Sequence, residues 1–98
     1  MPLLNLPDPV KNRLLETFRS IDQIKEVYLF GSRARGDHRP NSDIDLAIVA
    51  DGVRSSHLAQ IQEAGALYQV DIVVLSDRSI TPEFIEEINA DKIQIYSR

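Results

Sequence analysis

Asp43 and Asp45 flank Ile44 at the head of an apolar run, and ten residues separate them from Gly31-Ser32, where an earlier apolar run ends. In a strand alternate side chains share a face, so the two carboxylates would lie side by side with Ile44 turned away. Such a pair is costly unless a cation sits between. Oxygen-only ligands suit Mg²⁺, which one or two carboxylates commonly hold together with substrate phosphates. The pair therefore implies a metal, and the metal implies a polyphosphate. Gly31 lets the backbone turn tightly and approach a ligand. Ser32 is expected to cap a helical turn through Arg33-Ala34-Arg35, whose first N–H groups form an anion site. Arg33 and Arg35 add charge-assisted bonds to phosphate, although alternate helical residues diverge. Gly36 suits the left-handed position that ends the turn. Taken singly, a Gly-Ser is a turn, an Asp-x-Asp a solvated strand end, and loop arginines face solvent. In combination they point to one bound nucleotide.

A third carboxylate, Asp71, interrupts the apolar run Val70–Leu75. Burying it is expensive unless it is paired or binds a metal, so it is either solvated near a sheet end or a member of the same acidic cluster.

Elements with recognisable ends position these residues. Asp8-Pro9 reads as a cap followed by proline at the first helical position, opening an amphipathic helix over residues 9–20 with Val10, Leu14, Phe18 and Ile21 inside and Leu15 widening the stripe. Lys25–Phe30 is the first strand and Ile44–Ala50 the second, apolar enough to be central and covered on both faces. The connection 37–42, with His38 at the surface, is rich in turn formers. A helix over 54–67 is capped by Ser55 or Ser56 and buries Leu58, Ile61 and Leu67. His57 in its first turn has a structural role. Residues 69–75 form the third strand. Thr81 caps a last helix that starts at Pro82 and buries Phe84, Ile85 and Ile88. Ile93 and Ile95 belong to a short edge strand. The expected fold is α+β, a mixed sheet with helices, in a single small domain spanning 1–98.

Composition narrows the function. Residues 1–40 carry seven Lys/Arg against five Asp/Glu and residues 41–98 four against ten, so no basic stripe supports stable nucleic-acid binding. Cysteine is absent, which removes disulfides, thiolate metal sites and a cysteine nucleophile. No apolar run spans a membrane and Met1–Leu4 shows no secretory pattern, so the default location is cytoplasmic.

Gly31-Ser32 followed after ten residues by Asp43-Ile44-Asp45 resembles the signature of the DNA polymerase β-type nucleotidyltransferase superfamily. The fuller strings, Gly31 to Gly36 and Ser42 to Leu46, resemble its small branch, the minimal nucleotidyltransferases (MNT), including the antitoxins of HEPN/MNT toxin–antitoxin pairs. The resemblance implies a polymerase β-like fold and two Mg²⁺ ions bridged by Asp43 and Asp45. It also implies Asp71 as the third metal carboxylate, with a possible second role in accepting the proton of the attacking hydroxyl. Gly31 and Ser32, with Arg33 or Arg35, would hold the phosphates of ATP. It further implies transfer of AMP to a HEPN-type toxin partner. Nucleotidylation of a small molecule such as an aminoglycoside, and steric neutralisation by a vestigial site, stand as alternatives. The chain ends soon after its sheet, so a partner or a second copy is expected to complete the site.

Overall fold

The computed structural model of the chain describes residues 6–98, so the expectation about Met1–Leu4 lies outside the described residues. Its elements follow in the order α1 (Asp8–Ser20), β1 (Ile24–Phe30), α2 (Ser32–Arg35), β2 (Ile44–Ala50), α3 (Ser55–Ala64), β3 (Val70–Val74), α4 (Pro82–Asp91) and β4 (Ile93–Ser97). They build a four-stranded sheet in the order β3-β2-β1-β4. β1 runs antiparallel to both β2 and β4, whereas β2 and β3 are parallel, so the sheet is mixed. The parallel pair needs a crossover, and α3 supplies it.

β2 is central and covered on both faces, because its alternating residues enter two different cores. Ile44, Leu46 and Ile48 pack with Leu14 and Phe18 of α1 and Ile61 of α3. Ala47 turns the other way, towards Phe30, Ile88 and Phe84. The rings of Phe30 and Phe84 meet edge-on at 6.0 Å, tying α4 to the end of β1.

The starts of α1 and α3 differ from expectation. Asp8 is not the cap of α1. Pro7 occupies that position and Asp8 lies in the first turn, where its charge faces the positive helix end. α3 is not capped by Ser55 or Ser56. His57 Nδ1 accepts a hydrogen bond from the Arg54 N–H at 3.1 Å, which gives this histidine a capping role. Thr81 does cap α4, accepting from the Phe84 N–H.

α3 also stops three residues short of its expected end. Gly65 follows its last residue, and a Cβ there would stand 2.3 Å from Val70 Cγ2, so the turn out of α3 packs closely on β3. Ala66 then takes a left-handed φ of 57°, and Leu67 leaves the helix face altogether, 99% exposed. The 3.6-residue period cannot register a backbone reversal that begins one residue earlier.

Candidate active site

The residues singled out by chemistry meet at one end of the sheet. β1 ends at Phe30, whose Cα partner on β2 is Asp45, and the partner of Asp45 on β3 is Asp71. Registered neighbours share a face, so the Asp45 and Asp71 side chains lie side by side on the α4 face of the sheet. Asp43 stands just ahead of β2 and is exposed. Asp45 is half-buried, and Asp71, on the edge strand, is exposed. Asp71 is thus both solvated and adjacent to Asp45.

Gly31 fits the turn to this cluster. Its φ of 76° and ψ of −155° belong to a region open essentially to glycine, and a Cβ would stand 2.3 Å from Asp45 Oδ2. The Gly31 carbonyl accepts the Ala34 and Arg35 N–H groups at 3.1 and 3.0 Å, so Gly31 rather than Ser32 is the cap of α2. Ser32 is the first helical residue. Gly36 closes the turn with φ 90°, as expected.

Electrostatics mark Asp45 as the focus. Burial first, then the charges of Asp71 and Asp43 and a hydrogen bond with Asp71, push its carboxyl from 3.8 up to about 6, while Arg35 pulls the other way. A carboxylate crowded by like charges gains from a cation, and an oxygen-only set of this kind fits a hard divalent ion such as Mg²⁺. Among the described residues no three acidic or histidine side chains close into a metal cage. A metal here would draw further oxygen atoms from water or a phosphate, the usual coordination habit of Mg²⁺.

The two arginines part company. Arg33, expected at the phosphates, is instead buried at 2% exposure, donating from Nε to the Ser42 carbonyl at 3.1 Å and from Nη2 to the Pro40 carbonyl at 3.2 Å. Its guanidinium also lies 4.8 Å over the Tyr68 ring. A buried guanidinium requires such partners, and the carbonyls that supply them sit in the loop leading to Asp43. Arg33 thus positions that loop. Arg35 points outward and pairs with Asp37 at 3.1 Å and Asp91 of α4 at 2.8 Å. His38 is less superficial than expected. Its Nδ1 is buried without a hydrogen-bond partner among the described residues.

An open hollow of about 310 Å³ adjoins the Gly31 turn, lined by Phe30, Arg35, Phe84, Glu87 and Asp91 among others. Tyr68, Phe84, Glu87 and Asp91 escaped sequence reasoning as site residues. Each is remote in the chain from the motif, and no local spacing signals that it will pack beside it.

Comparisons with known proteins agree with this geometry. Residues 12–98 match the family described as Polymerase beta, Nucleotidyltransferase. Over 74 residues the chain is 34% identical to the protein adenylyltransferase MntA of Shewanella oneidensis, covering 70% of this chain and 53% of that protein. It thus spans about half the length of that relative. A solved toxin–antitoxin structure with AMP-PNP superposes with a TM-score of 0.70 at 29% identity, covering 90% of this chain and 73% of that one. In fold alone, the chain also resembles one from the complex of tri-AMPylated S. oneidensis HEPN toxin with MNT antitoxin, with a TM-score of 0.65 at 24% identity, covering 100% of this chain and 74% of that one.

Proposed function

The chain belongs to the polymerase β nucleotidyltransferase family, and from that premise we propose that it is a protein adenylyltransferase whose acceptor is a HEPN-type toxin, which it neutralises as the antitoxin. The observation that carries the reading is the seating of Asp45 against both Gly31 and Asp71, which brings a phosphate-type turn and a carboxylate pair to one point. The likeness to MntA and to the toxin–antitoxin structure with AMP-PNP supports the donor and the class of acceptor. In this reading residues 1–98 form one catalytic domain that works in the cytoplasm, where ATP is supplied.

Each residue has a share in the reaction. The turn at Gly31 and Ser32 receives the triphosphate at the start of α2, through backbone N–H groups and the Ser32 hydroxyl. Arg35 adds positive charge beside the turn, and Arg33 keeps Asp43 in place without touching phosphate. Asp43, Asp45 and Asp71 would hold two Mg²⁺ ions, which supply an activated acceptor oxygen and neutralise the departing charge. The acceptor hydroxyl attacks the α-phosphorus of ATP, the bond from that phosphorus to the bridging oxygen breaks, and pyrophosphate leaves with the electron pair. Asp71, exposed and on the flank of Asp45 away from Gly31, takes the hydroxyl proton.

Intact mass of the HEPN-type partner, after incubation with this protein, ATP and Mg²⁺, tests the proposal directly. One or more added AMP units are expected with wild type and none with Asp45→Ala. A partner that is bound and silenced equally by both, without a mass change, would replace catalysis by steric neutralisation.

A further inference from the structure

A lone exposed leucine is ordinary on a protein surface. Leu67 is less ordinary. It is 99% exposed, no other large apolar side chain among the described residues is exposed, and it is presented by an alanine held at positive φ. Non-glycine residues adopt that conformation infrequently and at some cost. Leu67 stands on the rim of an open hollow of about 420 Å³ together with Pro40, Asn41, Asp43, Tyr68 and Gln69. An acidic residue of the site therefore forms part of the same wall.

Two features make this hollow a prepared surface. Arg33 hydrogen-bonds the Pro40 and Ser42 carbonyls on one side and stacks on the Tyr68 ring on the other, so one buried side chain ties both walls together. Surfaces held rigid before binding lose less entropy when a partner docks. The second feature is direction. The strand order places β1 and its Gly31 turn on one flank of Asp45, and β3 with its Leu67–Gln69 lead-in on the other. In an in-line displacement the attacking and leaving groups lie on opposite sides of phosphorus. With the triphosphate on the Gly31 flank, the attacking hydroxyl arrives from the Leu67 flank.

We propose that Leu67 is the docking anchor for the protein acceptor, an apolar side chain next to the modified hydroxyl packing on Leu67 while the hydroxyl-bearing residue enters the hollow between Asn41 and Tyr68. This inference rests on the AMP-transfer reading above. It assigns acceptor choice to the turn after α3, outside the motif that handles the nucleotide.

The test compares wild type with Leu67→Asp and Leu67→Met, using the HEPN-type partner as acceptor and measuring KM for the acceptor, kcat, ATP affinity and oligomeric state. Leu67 buries nothing in the free chain, so neither variant disturbs the fold. Removing the apolar anchor should raise acceptor KM by about tenfold or more in Leu67→Asp, with ATP affinity unchanged and Leu67→Met close to wild type. An unchanged acceptor KM in Leu67→Asp overturns the anchor and leaves AMP transfer standing. If that variant instead dissociates a homo-oligomer with acceptor KM unmoved, the surface belongs to a second copy of the chain and the inference fails. Absence of transfer by wild type itself would remove the functional reading, and the anchor with it.

Discussion

At the scale of single residues, Asp45 carries an internal tension that solution experiments can read. Its carboxyl titrates near 6 in the folded chain, through burial and the neighbouring carboxylates, against the ordinary 3.8. Between those values the folded state holds a proton that the unfolded state has released. Stability from this group is therefore present in full below about 3.8 and is lost as the pH rises through about 6. Because Asp45 is only half-buried, solvent screening limits the size of the effect. We expect the melting temperature of the metal-free protein to fall from pH 4 towards pH 7, and Asp45→Asn to flatten that fall. At pH 7.5 Asp45→Asn should be at least as stable as wild type, and added Mg²⁺ should raise the melting temperature of wild type alone. Parallel melting curves for the two proteins across this range would show that Asp45 bears no such load.

At the scale of elements, α2 is short, and what it does depends on its two arginines diverging. Arg35 reaches α4 through Asp91, while Arg33 turns inward and holds the loop between α2 and β2. That loop determines where Asp43 stands, so Arg33 on α2 controls the approach to β2. Arg33→Lys keeps the charge but cannot offer a planar fork to two separate carbonyls. Arg33→Lys is accordingly predicted to lower kcat for AMP transfer at least tenfold, with little change in the KM for ATP. Arg33→Met is predicted to lose about 2 kcal/mol of stability as well, since two part-buried carbonyls lose a charged donor. Urea unfolding and steady-state kinetics would separate the two effects. A rise in ATP KM with kcat preserved would instead return Arg33 to the phosphates.

At the scale of the whole molecule, Arg98, just after β4, ties distant elements together. Its guanidinium donates to the carbonyls of Phe18, Arg19, Ile21 and Ile24, binding the end of α1 and the start of β1 to the residue that follows β4. The carbonyls at a helix C-terminus lack partners within the helix, and a cation there also meets the negative end of its dipole. Replacement by alanine should cost about 2 kcal/mol, a drop of roughly 10 °C in melting temperature for a chain of this length. The acidic cluster lies at the opposite ends of β1 and β2, so AMP transfer by Arg98→Ala at 25 °C should match wild type. A melting temperature within a degree of wild type would show that these bonds only replace equivalent ones to water.

What depends on near neighbours was legible in the chain alone: the order of elements, the central position of β2, the Thr81 cap, the left-handed Gly36 and the carboxylates that gather at one sheet end. All of these follow from periodicity, from backbone preferences of single residues or from the motif. Tertiary structure decided the rest, because it depends on groups that meet only after folding. Arg33 is drawn inward by carbonyls seven and nine residues away and by the ring of Tyr68. Arg35 finds Asp91 across 56 residues. Asp71 becomes a neighbour of Asp45 through the parallel register of two strands separated by a helix. Leu67 shows the limit most plainly, since its helical spacing suits a buried face. Ala66 turns the chain at positive φ and carries Leu67 outward, and the close packing of Gly65 on Val70 beside that turn exists only once β3 has docked.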